Sequence, residues 1–175
     1  MEKQTYIVRN ANPDEFSVIG KLMVEVYSQL DGFPKEAEQP NYYKMLANVG
    51  DLTQKSETEL LVAVSPLGKI AGAVVYFGDM KQYGSGGTAT LETNAAGFRL
   101  LAVSPDARGK GIGKLLTLAC IKKAKAGKLN QMIIHTTKAM QTAWGMYEAI
   151  GFKRSEDLDF KQGELPVFGF RLQLK

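Results

Sequence analysis

Apolar and polar positions along the first forty residues predict a strand, a helix and a break. A short strand is expected over residues 6–9, and residues 12–15 (NPDE) supply a helix cap, a proline at the first helical position and an acidic residue three after the cap. The helix extends toward residue 29, because its apolar positions recur at about 3.6 residues. These positions are Phe16, Ile19, Met23, Val26 and Tyr27. Glycine and proline in segment 30–40 then interrupt the helix.

The middle of the chain predicts a second helix followed by a β-hairpin. The helix lies within residues 41–54. Residues 59–65 and 69–77 are two strands, and the Pro-Leu-Gly sequence between them is typical of a hairpin turn. A glycine-rich mobile loop is expected over 78–87. The nearly continuous apolar run over 96–103 predicts a central strand that is covered on both faces.

Helix and strand alternate in the C-terminal half. A helix follows the central strand and ends at Gly127, with an apolar stripe on one side. The stripe consists of Leu115, Leu116, Leu118, Ala119, Ile121 and Ala124. Residues 132–136 form a strand parallel to the central one, because a helical crossover joins the two. A helix over 139–150 and closing strands near 152–154 and 167–174 complete a mixed α/β sheet with helices on both faces.

Composition indicates an ordinary globular protein. The 175 residues are 45% hydrophobic and 23% charged, which suits one domain with its own core, so we expect a single domain over 1–175. The net charge is +4 and the pI is about 9.1. No dense Lys/Arg tract with interleaved aromatics occurs. The pI is therefore the sole support for a nucleic-acid-binding module, and we expect no nucleic-acid partner.

Cysteine and histidine are too few for a disulfide or a metal centre. Cys120 is the one cysteine and His135 the one histidine, so no metal is expected. The first residues lack an apolar signal core, and the longest apolar run, 70–78, is too short to cross a bilayer. We therefore expect a cytoplasmic protein with no membrane partner.

The strongest candidate for chemistry is the segment over residues 100–114, which predicts a buried strand, a glycine-rich loop and a helix start. The loop is short of side chains and carries cations at Arg108, Lys110 and Lys114. Glycines let a ligand approach the backbone closely, and the first amides of a helix have no intrahelical acceptor. Such a loop favours phosphate oxygens, so we expect a ligand with a pyrophosphate.

Two familiar nucleotide loops do not match this spacing. A G-x-x-x-x-G-K-[ST] loop ending at Gly113 and Lys114 would need its first glycine at Arg108 and a hydroxyl at Leu115. A G-x-G-x-x-G loop beginning at Gly109 would need a third glycine where Lys114 stands. Both alternatives are excluded.

The spacing that does occur is R-x-x-G-x-G, at Arg108, Gly111 and Gly113. It resembles motif A of the GNAT superfamily of N-acetyltransferases. Residues 143–152 (AWGMYEAIGF) are similar to motif B of the same superfamily, A-x-x-x-Y-E-x-x-G-F. The two motifs occur in the order of that superfamily, and the resemblance covers roughly residues 95–154.

The resemblance implies a fold and a co-substrate. The fold is a single-domain mixed α/β sheet of about seven strands flanked by helices, with a splayed parallel strand pair. The co-substrate is acetyl-CoA, whose pantetheine arm would pair with strand amides left free by the splay and whose pyrophosphate would lie in the loop. The residues implied in binding it are Leu101, Ala102, Val103, Arg108, Gly109, Lys110, Gly111, Ile112, Gly113 and Lys114.

The resemblance also implies a reaction, in which a primary amine of a small molecule or protein attacks the acetyl thioester directly in a ternary complex. Tyr147 matches the motif B tyrosine and would protonate the leaving thiolate. A tyrosine on an amphipathic helix can instead serve core packing. Glu92 is a secondary candidate for a base, because it is the carboxylate nearest the start of the central strand. Met140 stands where many relatives carry asparagine.

The acceptor contacts rest on analogy of fold. Tyr27, Phe33 and His135 are secondary candidates for substrate binding, with segment 30–40 and loop 157–162 as walls. A histidine in a strand is more often structural. The alternative function is a non-catalytic acyl-CoA-binding sensor of the same fold. A homodimer is compatible with either function, and the sequence does not name the acceptor.

Overall fold

The computed structural model describes residues 5–175, which form eight β-strands and four α-helices. The strands are β1 (Ile7–Asn10), β2 (Thr58–Val64), β3 (Ile70–Phe77), β4 (Ala95–Val103), β5 (Gln131–Thr136), β6 (Lys153–Arg154), β7 (Phe160–Gln162) and β8 (Leu165–Gln173). The helices are α1 (Phe16–Ser28), α2 (Pro40–Ala47), α3 (Ile112–Ala126) and α4 (Gln141–Ile150).

All strands join one mixed sheet. Its order is β1-β2-β3-β4-β5-β8-β6, and β7 pairs with β8 beside this path. The turn between β2 and β3 is closed by Ser65 N–H donating to the Lys69 carbonyl at 2.8 Å, with Gly68 at φ +83°. The pair β4–β5 is parallel, because α3 carries the chain back across the sheet between the two strands. The mixed α/β fold is therefore confirmed, with eight strands.

The parallel pair β4–β5 separates after three residues. Its last paired residues are Gly97 and Ile133, although both strands continue beyond them. A β-bulge lies just past this point, since Val75 pairs with Arg99 but Ala73 pairs with Ala102. Strand β4 thus holds one extra residue, and Leu100 has a positive φ of 60°. The splayed strand pair expected from the resemblance is confirmed, and it opens a cleft at the carboxyl ends of both strands.

Two apolar cores lie on opposite faces of the sheet. One packs beneath α1 and α2 and includes Leu100 and Ala102; the other packs beneath α3 and α4 and includes Phe98 and Tyr147. Leu101 and Val103 pack against the second core. Because strand side chains alternate between faces, the bulge changes which residues of β4 face each core.

Two sequence predictions need correction. Residues 160–162 form β7 rather than a loop, paired with β8 through a turn at Gly163, φ +61°. Segment 78–87 is a loop, but the buried side chains of Met80 and Tyr83 anchor it, so the expectation of a mobile loop misses this packing. The helix predicted within residues 41–54 is α2, which begins one residue earlier at Pro40 and is followed by a 3-10 turn at Val49–Gln54. The span of the domain over 1–175 stays a prediction, because residues 1–4 lie outside the described part.

Candidate active site

A cavity of about 810 Å³ occupies the cleft between the separated ends of β4 and β5. Elements from both faces of the sheet surround it, namely α1 and α2 on one side and the start of α3 with α4 on the other. Of the site residues expected from the sequence, those that line it are Tyr27, Phe33, Leu101, Val103, Arg108, Gly109, Gly111, Ile112, Gly113, Lys114, His135 and Tyr147. The splay therefore gathers residues from distant parts of the chain around one space.

One end of the cavity is the glycine-rich loop before α3. Gly109 and Gly111 both have φ of +78°, a left-handed conformation that favours glycine. A Cβ atom on either residue would meet no atom within 4 Å, so the space beside this backbone is open. Leu115 is the first residue of the turn whose N–H reaches a carbonyl, that of Gly111 at 3.0 Å. Within residues 5–175, the preceding N–H groups of α3 thus lack a backbone acceptor.

The three cations of the loop differ in whether they line the cavity. Arg108 and Lys114 line the cavity, whereas Lys110 does not. The two lining cations and the positive end of the α3 dipole all favour a negative charge at this place. This end of the cavity is therefore electropositive and suited to an anion that approaches the backbone closely.

The wall beside the loop is the free edge of β4. Leu101 and Val103 line the cavity, but Ala102 does not, because its side chain is turned into the core and is 1% exposed. Any contribution of Ala102 to ligand binding is thus restricted to its backbone. An unpaired strand edge offers N–H and C=O groups to an extended ligand.

Tyr147 reaches the cavity from α4. Its ring packs edge-on against Phe98 and Phe152, each with centroids 5.8 Å away, and the residue is 4% exposed. Its hydroxyl forms no hydrogen bond with any residue of the described chain. Burial raises the pKa of Tyr147, and the nearby Tyr83 adds to that rise. The phenol is therefore protonated at neutral pH, with its hydrogen available to a ligand.

His135 lines the cavity from β5 with both ring nitrogens engaged. Nε2 lies 2.8 Å from the Leu158 carbonyl oxygen, and Nδ1 lies 2.9 Å from the Tyr83 hydroxyl. Because a carbonyl only accepts, Nε2 carries the hydrogen and Nδ1 accepts from Tyr83. Burial lowers the pKa of His135 to about 4. The ring is therefore neutral at pH 7, with its lone pair occupied.

Glu92 does not line the cavity. Its carboxylate accepts a hydrogen bond from Arg171 Nη2 at 2.7 Å, and the same guanidinium group contacts Asp157 and Gln131. Glu92 was a candidate base because it is the carboxylate nearest in sequence to the start of β4. Arg171 instead holds its side chain in an ion-pair network away from the cleft.

Sequence reasoning missed several residues on the α1 and α2 side of the cavity. Tyr42 from α2, Arg99 from β4 and Phe160 from β7 line it alongside Tyr27 and Phe33. Ring centroids of Phe33 lie 5.4 Å from Tyr27 and 5.7 Å from Tyr42. Arg99 carried a usable signal, since it is the one charged residue in an otherwise apolar strand. The position of Tyr42 depends on how α2 packs and had no such signal.

Two further features concern the whole described chain. Among residues 5–175, no group of three His, Cys, Asp or Glu side chains is placed to hold a metal ion. Over the same residues, every helix is too short or too polar to span a membrane.

The fold and the cleft define a mixed α/β protein with a splayed strand pair, and comparison with known proteins gives the family. The chain belongs to the acetyltransferase (GNAT) family, whose model matches residues 23–152. The matched span contains both motifs and most of the cavity.

Individual relatives are more distant. A mycothiol acetyltransferase of Saccharomonospora viridis is 35% identical over 65 residues, which are 37% of this chain but only 21% of that protein. The match thus spans about a fifth of that relative's length. A GNAT-family acetyltransferase from Staphylococcus aureus Mu50 has a TM-score of 0.74 at 16% identity, covering 98% of this chain and 100% of the other. YncA of Salmonella typhimurium, an acetyltransferase solved with acetyl-CoA, has a TM-score of 0.66 at 16% identity, covering 97% and 94%. These structural likenesses show a shared fold.

Proposed function

We propose that this protein transfers the acetyl group of acetyl-CoA to the primary amine of a small molecule or protein, by direct attack within a ternary complex. The observation that carries the proposal is the continuity of the cavity. It joins an electropositive loop, a free strand edge and, on the opposite side of the sheet, an aromatic compartment formed by Tyr27, Phe33 and Tyr42. A donor and an acceptor can therefore meet in it from two sides. The YncA structure with acetyl-CoA supports the choice of donor.

The loop would hold the pyrophosphate of the donor. The open space beside Gly109 and Gly111 lets phosphate oxygens approach the backbone, and the free N–H groups at the start of α3 would donate to them. Arg108 and Lys114 would supply the opposing charge. Lys110 does not line the cavity and has no part in this arrangement.

The free edge of β4 would align the pantetheine arm. Backbone groups of Leu101 and Val103 are positioned beside the cavity and would pair with its amides. A strand N–H directed at the thioester oxygen would stabilise the charge that develops there, an effect typically worth about 3–4 kcal/mol in the barrier. Holding both substrates in one cleft would supply much of the remaining acceleration.

Tyr147 would act on the leaving sulfur. The transfer forms a C–N bond and breaks the C–S bond, and one proton moves from the amine to the CoA thiolate. A phenol with a raised pKa stays protonated and can donate its hydrogen to the developing thiolate. Its own proton would be replaced from the amine nitrogen, which becomes acidic once the new bond forms.

In this proposal no side chain of the protein removes the proton from the amine. Among the described residues lining the cavity, Asp31 is the sole carboxylate, and it lies in the segment after α1 rather than on β4 or β5. His135 is neutral, but the Tyr83 hydroxyl occupies its lone pair. We propose that the amine loses its proton to solvent before it attacks.

The test measures CoA thiol release from acetyl-CoA across a panel of amines, with mass spectrometry of the acetylated product. Product formation that requires both substrates supports the proposal. If calorimetry shows acetyl-CoA binding but no amine is acetylated, the alternative of an acyl-CoA sensor replaces it. If acetyl-CoA does not bind, both fail.

A further inference from the structure

Arg99 is an arginine whose positive charge has no counterpart in the fold. The described chain contains five arginines, and three of them pair with carboxylates: Arg9 with Glu15, Arg154 with Asp159, and Arg171 with Glu92 and Asp157. Within residues 5–175, neither Arg99 nor Arg108 has a carboxylate within 4.0 Å. Both of these arginines line the cavity. Arg108 belongs to the phosphate loop, which leaves Arg99 without an assigned role.

The guanidinium of Arg99 is held in place from one side. Nη1 donates to the Tyr83 carbonyl oxygen at 3.0 Å, and the guanidinium carbon lies 5.8 Å from the centre of the Tyr83 ring. This is the only hydrogen bond that Arg99 makes to another described residue through its side chain. The remaining N–H groups of a planar five-donor fork are therefore directed to the cavity or to water.

The β4 bulge puts Arg99 on the side of the sheet opposite the phosphate loop. Ala95 and Gly97 contact the α1 and α2 side, and Arg99 continues that alternation just before the extra residue. Leu101 and Val103, after the bulge, pack on the α3 and α4 side. Arg99 thus faces the aromatic compartment in which the acceptor would lie, and not the pyrophosphate.

Two tyrosines, Tyr27 and Tyr42, line the same aromatic compartment. Tyr27 and Tyr42 line the cavity, and neither hydroxyl is bonded to a described residue. Because no fully buried side-chain oxygen of the described chain lacks a partner, both hydroxyls must be accessible. Burial raises the pKa of Tyr42 to about 12, and the nearby charge of Arg99 opposes that rise. Burial likewise raises the pKa of Tyr27, again opposed by Arg99 among smaller effects.

We propose that the acceptor is a small amine that carries a carboxylate, and that the free N–H groups of Arg99 bind this carboxylate. The proposal rests on the acetyl-transfer function and narrows its acceptor to the class of amino acids and related amino carboxylates. A half-buried guanidinium costs free energy unless an anion pairs with it, and planar arginine suits a carboxylate with two parallel hydrogen bonds. The hydroxyls of Tyr27 and Tyr42 are further donors to the same group, and the surrounding aromatic rings accommodate an apolar body.

The experiment compares each amino carboxylate with its own carboxamide as acceptor. Glycine, β-alanine, 4-aminobutyrate and phenylalanine sample the spacing and bulk, and rates are corrected for the fraction of free amine. The wild-type protein should prefer at least one carboxylate by roughly 10- to 100-fold in kcat/KM, the range of a hydrogen bond to a charged group. In Arg99→Gln this ratio should fall to near one, and Arg99→Lys should recover part of it.

Arg9→Gln is the matched control, because it removes an arginine that is paired with Glu15 and does not line the cavity. Its carboxylate preference should equal that of the wild type. A second readout needs no turnover: calorimetry of the N-acetylated product of the preferred acceptor on the CoA-loaded protein, which should bind the wild type at least 10-fold more tightly than Arg99→Gln.

The outcomes separate the two proposals. Acetylation of amines without any carboxylate preference, or a preference that survives Arg99→Gln, overturns the role of Arg99 and leaves acetyl transfer standing. If no amine is acetylated, the proposed function fails. Calorimetry of N-acetylphenylalanine and N-acetyl-β-alanine then decides the binding role, and equal or absent binding in wild type and Arg99→Gln overturns that as well.

Discussion

Replacing Gly111 by glutamate should abolish tight binding of acetyl-CoA. Gly111 is the residue before α3, and a Cβ there points into space with no atom within 4 Å. The new carboxylate would therefore extend beside the loop without a steric obstacle and next to the proposed pyrophosphate. Two unit charges about 6 Å apart in an effective dielectric of about 20 repel by about 3 kcal/mol, which is roughly a 100-fold loss of affinity.

Backbone strain is the effect that must be separated from this repulsion. Gly111 has φ +78°, and a side chain in that region costs about 1–2 kcal/mol. Gly68→Glu is the matched control, since Gly68 has φ +83°, equally open space and a position outside the cavity. Both variants should therefore lose similar thermal stability.

The assay is calorimetric titration of acetyl-CoA and CoA into wild type, Gly111→Glu and Gly68→Glu, with unfolding temperatures measured in parallel. Gly68→Glu should keep the wild-type affinity and Gly111→Glu should lose about two orders of magnitude. Equal affinities in all three proteins, or equal losses in both variants, would refute the assignment of the loop to the pyrophosphate.

Three further outcomes follow from the site. Tyr147→Phe keeps the packed ring and removes the donor, so acetyl-CoA affinity should persist while kcat falls by about 100-fold, and an unchanged kcat would exclude the phenol as proton donor. With no dedicated base, kcat/KM for two acceptors of different amine pKa should rise with pH at two different midpoints, each following its acceptor. One shared midpoint that is lost in Glu92→Gln would reveal a base in the protein. The pKa of His135 is about 4 in the folded protein against an ordinary value of 6.5, so on acidification the unfolded chain takes up the proton first. The free energy of unfolding therefore decreases as the pH falls from 6.5 to 4. The loss is at most about 3 kcal/mol, and denaturant unfolding of His135→Gln should show a flatter dependence over that window.

The structure of the segment from β4 to α3 could be predicted from the sequence because it depends on local residue patterns. Gly109 and Gly111 occupy left-handed backbone positions, and the apolar run before them forms a central strand whose first four residues are buried, as its composition predicts. Local rules also placed α1, α3, α4 and the β2–β3 hairpin. The fold and its splayed pair are confirmed, while the roles of individual site residues stay predictions.

The missed features have no local sequence pattern. Strand β7 has three residues and exists because β8 lies beside it, so no periodicity could reveal it. Leu100 is a branched residue at positive φ, which no composition rule anticipates, and the bulge around it determines where Arg99 lies. The loop at Met80 and Tyr83 looked polar and glycine-rich, but two buried side chains fix it. The bulge and the anchored loop required knowledge of neighbours far away in sequence, whereas β7 is too short for a pattern even though its partner β8 begins at Leu165.

The extra residue at Leu100 makes β4 serve two compartments in succession. Residues up to Arg99 present alternate side chains to the aromatic compartment, and those from Leu101 onward present theirs to the side of the loop. Deleting a single residue at the bulge would reverse the alternation after Arg99, turning Leu101 and Val103 toward the aromatic side and Ala102 toward the loop side. Substitution of Arg99, by contrast, changes a side chain on the aromatic side and leaves Leu101 and Val103 in place. The bulge thereby separates the two surfaces, because Arg99 faces one side of the sheet while Leu101 and Val103 face the other.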